Sequence, residues 1–259
     1  MELRLKGKKA LVTGASAGLG AAAAMALAEE GVELFINSRD ETRLRAAAQK
    51  IAEKTAIMPV VCVGDVSRAG DIERLDSQIG AVDILVSNAG GPVPGQFTDL
   101  PGERWQEAAD LVLFSAVNLT RMVIDGMIER RWGRLIYLTS IGVLQPINDL
   151  ILSNTYRSGV TGFCKTISNN YAKYGITANC VCPGYTATER LASLAASRAA
   201  EGGVSVESVL KGLAADVPAG RIGKPEELAA LITFLASEKA AYITGTSIPV
   251  DGGAVRALI

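Results

Sequence analysis

Short apolar and β-branched runs alternate along the chain with longer runs in which apolar residues recur at helical spacing. Lys9-Ala10-Leu11-Val12 reads as a buried strand. Glu33 to Ile36, Met58 to Val63, Asp83 to Val86, Arg134 to Leu138, Thr177 to Val181 and Thr246 to Val250 read the same way. Helices are predicted between them over Ala21 to Glu30, Glu41 to Lys54, Ala69 to Gln78, Arg104 to Arg130, Ser153 to Tyr174 and Glu226 to Ala236. This alternation predicts an α/β chain with a doubly wound parallel sheet of about seven strands and helices on both faces, forming one domain over residues 1–259. The least regular segment, Glu189 to Pro225, is rich in Ala, Gly and Ser. It follows the sixth strand, where such sheets bind ligands, and reads as a substrate lid over 189–225. Two surface helices joined by a loop are the alternative.

Composition narrows the function. Half of the 259 residues are apolar, enough for a large core, and the formal net charge is -1. That balance argues against a dominant nucleic-acid or polybasic membrane surface. No run approaches the roughly 18 apolar residues of a membrane span. The first residues, Met1 to Lys6, turn polar before any long apolar stretch, so no secretory signal is expected. Of four cysteines, Cys180 and Cys182 share one face of a predicted strand and are poorly placed to bridge. A reduced, cytoplasmic protein is the expectation. The chain has no histidine. This removes the commonest general base, the Ser-His-Asp triad and every His-ligated zinc site.

The chemistry begins at Thr13-Gly14-Ala15-Ser16-Ala17-Gly18-Leu19-Gly20, between the first strand and the first helix. Gly14 permits a tight turn, Gly18 removes a side chain where backbone meets phosphate, and Gly20 permits close helix–strand packing. The helix N-terminus then offers free N–H groups and a positive dipole end to a pyrophosphate. The expected domain is a single-domain Rossmann fold that binds a dinucleotide.

Joined to four later motifs, the G-x-x-x-G-x-G spacing resembles the short-chain dehydrogenase/reductase family. The motifs are Asp65-Val66, Asn88-Ala89-Gly90, Ser140, and Pro183-Gly184-Tyr185-Thr186-Ala187-Thr188, and the resemblance runs down to Asp251-Gly252-Gly253. It implies a nicotinamide dinucleotide bound by Gly14, Ser16, Ala17, Gly18, Leu19 and Gly20. Asp65 and Val66 would contact the adenine. Asn88, Ala89 and Gly90 would line the ribose, and Pro183, Gly184, Thr186 and Thr188 would hold the nicotinamide end. The second strand leads into Asn37-Ser38-Arg39, with Ser38 where NAD-preferring members carry Asp and Arg39 beside it. That pattern favours NADP, with NAD also possible, because a guanidinium pairs with the 2′-phosphate. Stacking on adenine or plain solvation is the alternative for Arg39.

The family's usual mechanism uses an Asn, a Ser, a Tyr and a Lys four residues after the Tyr. Ser140 matches. The Tyr position falls on Ser153, the Lys position on Arg157 and the Asn position on Val112. Tyr156 does not form the Tyr-x-x-x-Lys pattern and is expected to pack against a neighbouring helix. Asp149 is expected to be solvated or capping. Arg157 keeps a positive charge for ribose hydroxyls but does not release its proton as a lysine can. An aliphatic hydroxyl at Ser153 is a far poorer acid than a phenol. The catalytic set is therefore Ser140, Ser153 and Arg157, with Ser153 or a water relaying the proton. Two functions compete. One is an NADP-preferring oxidoreductase of small alcohols or carbonyls with a non-standard proton-transfer site. The other is a dinucleotide-binding sensor or inactive partner subunit. The resemblance and the apolar tail from Ala254 to Ile259 suggest a homotetramer or homodimer.

Overall fold

The computed structural model describes residues 2–258. Seven strands, β1 (Lys9–Val12), β2 (Glu33–Ser38), β3 (Val60–Val63), β4 (Ile84–Ser87), β5 (Gly133–Leu138), β6 (Ile176–Pro183) and β7 (Ser247–Val250), pair in the order β3-β2-β1-β4-β5-β6-β7. Every pairing is parallel. The helices are α1 (Gly18–Glu29), α2 (Glu41–Thr55), α3 (Ala69–Gln78), α4 (Gly102–Ala108), α5 (Ser115–Arg130), α6 (Ile151–Tyr171), α7 (Glu189–Gly202), α8 (Val206–Ala215) and α9 (Pro225–Ala236).

Side chains alternate across a strand, so each central strand feeds two cores. Ala10, Val12, Ile84, Val86, Ile136 and Leu138 pack beneath α1, α2 and α9. Their neighbours Leu11, Leu85, Leu135 and Tyr137 pack beneath α3, α5 and α6. Burial on both faces is why these strands read as continuous apolar runs. Cys180 and Cys182 share the second face, and all four cysteines are free and buried.

Several boundaries differ from the sequence expectation. Helix α1 opens at Gly18 rather than Ala21, because the glycine turn itself supplies its first turn. Strand β6 runs on to Pro183, since its register with β7 continues through Pro183 and Val250. The predicted Arg104–Arg130 helix starts at Gly102 and contains a π-helical stretch, Ala109–Phe114, between α4 and α5. By length and composition this Gly102–Arg130 unit could cross a membrane, which corrects the expectation that no segment comes close. Here its buried face packs on β4, β5 and α6. The 189–225 segment holds two helices, α7 and α8, joined by a short loop. In the C-terminal tail Leu258 is fully exposed, and Ile259 lies outside the described residues.

Strand β5 delivers Ser140 to the site, and it is anchored from below. The Tyr137 hydroxyl lies 2.7 Å from Thr120 Oγ1, in the buried interface with α5. Thr120 gives its own hydrogen to the Ala116 carbonyl at 2.7 Å, so Tyr137 donates to Thr120. Tyr137→Phe leaves the Thr120 hydrogen satisfied, whereas Thr120→Val orphans a buried phenol donor. We expect about 1 kcal/mol of destabilisation from the first change and about 1–3 kcal/mol from the second, measured by denaturant unfolding. Equal losses would remove this assignment of donor and acceptor.

Candidate active site

The strand order reverses between β3-β2-β1 and β4-β5-β6-β7, and parallel sheets bind ligands at such a switch point. A cleft of about 490 Å³ opens there, at the C-terminal ends of the strands.

One end of the cleft is made by the glycine turn. Gly14 (φ +59°) and Gly18 (φ +57°) occupy the left-handed region that disfavours a side chain. A Cβ on Gly14 would also sit 2.6 Å from Asn88 Nδ2. Asn88 locks the turn: its backbone N–H donates to Thr13 Oγ1, and Thr13 Oγ1 donates to the Asn88 carbonyl. Ala17, just before α1, supplies no side-chain cap, and the first turn of α1 holds no acidic residue. The N–H groups of that turn therefore face the cleft without a side-chain acceptor of their own. Ser16, Ala17, Leu19, Ala89 and Gly90 line the same end. Gly20 does not. A Cβ there would lie 2.3 Å from the Gly14 carbonyl, so its part is packing, as its spacing suggested, and not contact with a ligand.

Beside β2, where the adenosine is expected, Ser38 Oγ donates to Ser16 Oγ at 3.0 Å, joining β2 to the glycine turn. Arg39 is 78% exposed and stands 3.9 Å from Asp65. The Asp65 carboxylate also accepts from the Ser67 backbone and hydroxyl, and Val66 lines the cleft beside it. Arg43, on the first turn of α2, holds Glu189 of α7 through both carboxylate oxygens at 2.7 and 2.6 Å. Glu189 raises the Arg43 pKa through that hydrogen bond and its charge.

Pro183, Gly184, Thr186 and Thr188 line the opposite end. Thr188 caps α7 by accepting from Leu191 N, and its methyl lies 3.4 Å from where a Gly18 Cβ would be. Here the cleft also receives Ser140, Ser153 and Arg157. Ser140 Oγ accepts from Gly142 N at 3.0 Å, which leaves its own hydrogen free. Arg157 is 91% buried. Its Nε donates to Ser153 Oγ at 3.2 Å and its Nη1 to the Leu138 carbonyl at 2.7 Å. Its Nη2 has no hydrogen-bond partner among the described residues, and no carboxylate lies within ion-pair distance. Burial, reinforced by the nearby charge of Arg190, lowers its pKa to about 10, so it stays a cation at neutral pH. Cys182 sits beneath Thr139 at 3.2 Å. Burial raises its thiol to about 11, so it is no acid for neutral pH.

Three other groups fall outside the cleft lining. Val112 is buried in the π-helical stretch and presents no polar atom. Tyr156 packs edge-on against Trp105, with ring centres 6.2 Å apart. Asp149 is hydrogen-bonded to Gln96. The sequence reasoning missed Arg43, Arg190 and, as a side chain of the site, Tyr185. Arg43 lies one helical turn past Arg39, and Arg190 two residues past Thr188, so local spacing was the available signal.

Three features fit a dinucleotide: the turn that only glycine can form at 14, the α1 N-terminus without a cap, and the hydroxyl pair at Ser16 and Ser38. Known proteins agree with the geometry. A family model described as enoyl-(acyl carrier protein) reductase matches residues 14–255. The D-beta-hydroxybutyrate dehydrogenase of Cupriavidus necator is 35% identical, over 96% of this chain and 98% of that protein. The 3-oxoacyl-(acyl-carrier-protein) reductase FabG of Escherichia coli is 32% identical, over 97% of this chain and 98% of that protein. Among solved structures, the L-sorbose reductase of Gluconobacter frateurii, complexed with NADPH and L-sorbose, superposes with a TM-score of 0.95 at 32% identity, each chain being covered in full. The chain belongs to the short-chain dehydrogenase/reductase family.

Proposed function

We propose that this chain is an NADP(H)-preferring oxidoreductase of a small alcohol or carbonyl compound, working with Ser140, Arg157 and Ser153. The observation that carries this reading is a buried guanidinium without a counter-ion that lines the cleft and is hydrogen-bonded to the Ser153 hydroxyl. A buried cation without an ion partner is costly to a fold, and it is rewarded when negative charge develops nearby. Gly14, Ser16, Ala17, Gly18 and Leu19 would hold the pyrophosphate, with Asn88, Ala89, Gly90, Pro183, Gly184, Thr186 and Thr188 along the rest of the dinucleotide. Ser38 and Arg39 favour the 2′-phosphate over a bare ribose, in keeping with the NADPH carried by the sorbose reductase structure.

Bound there, the nicotinamide supplies or accepts a hydride. Ser140 holds the substrate oxygen by donating its free hydroxyl hydrogen. Arg157 Nη2 stabilises the oxygen as it becomes anionic. Arg157 Nε occupies Ser153 Oγ as acceptor, which turns the Ser153 hydrogen outward to exchange with water at the substrate oxygen. Positioning supplies much of the rate. With no tuned phenol at 153, proton transfer is the slow step. Helices α7 and α8 form the lid over 189–225, and the protein assembles as a cytoplasmic homotetramer or homodimer.

Four outcomes test this reading. In fluorescence titrations NADPH should bind at least tenfold more tightly than NADH, and Arg39→Ala should remove most of that preference; equal affinities in the unmodified protein would defeat it. In a screen of ketones, aldehydes and alcohols, Ser140→Ala should lower kcat/KM by about 10²–10³-fold. Arg157→Met should do the same while keeping the unfolding free energy within about 1 kcal/mol, because an uncompensated charge leaves the core with the guanidinium. Tight NADPH binding with no turnover of any compound would replace the oxidoreductase with a dinucleotide-binding sensor or partner subunit. Light scattering should give a tetramer or dimer, and a monomer would refute that assignment.

A further inference from the structure

The charges of the cleft are segregated. Its two lining carboxylates, Asp65 and Glu189, stand at the adenosine end, already beside Arg39 and Arg43. The reacting end holds two guanidiniums, Arg157 and Arg190, with no carboxylate in ion-pair reach among the described residues. Arg190 reaches from the first turn of α7 to the loop after β4. There its Nη2 donates to the Pro92 carbonyl at 2.7 Å, and its plane lies 3.0–3.1 Å from where a Gly91 Cβ would be. Partial burial of the guanidinium lowers its pKa, and the positive end of the α7 dipole also disfavours its charge; its own charge in turn lowers the pKa of Arg157. Glycine at 91 is what lets the guanidinium lie flat against the backbone at the rim.

Arg157 is buried, whereas Arg190 is exposed to solvent at the rim, and an arriving anion would compensate both. The wall next to it is apolar, formed by Leu111, Ile141, Ile147, Leu150 and Leu194. We propose that the substrate is a small oxo or hydroxy acid whose carboxylate is held by Arg190 at the rim, with its short apolar chain against this wall. The carbonyl or hydroxyl carbon then lies inward, at Ser140 and Arg157. This rests on the oxidoreductase reading above and adds a substrate class to it. A guanidinium takes a carboxylate in a paired, charge-assisted geometry, and an ester or amide of the same shape loses one charge and most of that bond.

The test compares 2-oxo and 3-oxo acids of three to six carbons with their methyl esters, using the 259-residue chain saturated with NADPH. Turnover gives kcat/KM. Calorimetric titration of the matching hydroxy acids and their methyl esters into the NADP⁺-loaded protein gives Kd without requiring turnover. At least one acid should exceed its ester by tenfold or more in either measure. Arg190→Met should erase that preference and leave the NADPH Kd within threefold, and Arg190→Lys should restore part of it. Esters matching acids throughout would overturn the proposal, as would binding of neither. It also fails if Arg190→Met weakens NADPH tenfold while the acid preference stands, because Arg190 then serves the pyrophosphate. Acid-selective binding without turnover keeps the anion site and rejects the oxidoreductase reading, so the two failures are distinguishable.

Discussion

The contact between the glycine turn and Asn88 is the constraint on which the site depends. Strand β1 ends, the chain reverses at Gly14, and α1 starts at Gly18, all within the space left by the loop after β4. A Cβ at Gly14 or Gly20 would approach Asn88 or the Gly14 carbonyl to between 2.3 and 2.8 Å. No rotamer relieves a clash of Cβ with backbone. The two halves of the sheet, paired through β1 and β4, thus also meet at one crowded point beyond the strand ends, with the uncapped N-terminus of α1 beside the switch between β1 and β4. Thr13 and Asn88 hold that point from both sides by exchanging hydrogen bonds.

From this fixed edge the cleft sorts its charges. Carboxylates and their arginines gather around the second strand. Cations without an acidic partner stand at the other end, Arg157 beside Ser153 and Arg190 at the rim. Arg157 is the informative case, because burial and a neighbouring cation both oppose its charge, and the chain offers it only a hydroxyl and a carbonyl. Such a residue contributes little to the folded state for the desolvation it suffers. The proposed function gives it a place, as the cation beside the reacting oxygen. The same comparison accounts for Arg134, which is also buried but donates to three carbonyls and lies over Trp132 at the opposite end of β5. That arginine is satisfied by the fold itself.

Much of the architecture was legible from local pattern. Strands buried on both faces show as unbroken apolar runs, and the helices between them show the 3.6-residue period, so element order and sheet type followed. Boundaries failed where tertiary pairing or the turn decided them. Helix α1 began early because the phosphate turn is itself helical. Strand β6 ran long because β7 pairs with its last residues. The π-helical stretch within Gly102–Arg130 left no sequence signal, since its residues pack well at either helical period. Arg43 and Arg190 were invisible for a different reason. Each is an ordinary surface residue on its own helix, and only the approach of α7 to α2 and to the loop after β4 brings them to the cleft.

The amino-acid sequence by itself determined the doubly wound sheet, the glycine turn at Gly14, Gly18 and Gly20, the Ser38-Arg39 pair, and the presence of Ser153 and Arg157 one helical turn apart. All of these depend on neighbours within a few residues, where spacing and side-chain type are sufficient. Tertiary structure alone decided which charges face one another: that Glu189 spans to Arg43, that Asp65 stands beside Arg39, and that Arg157 and Arg190 are left without an acid. Those pairings join residues tens to more than a hundred positions apart. Coulomb forces act through space and not along the chain, so the sign of each end of the cleft emerged only once the sheet had folded.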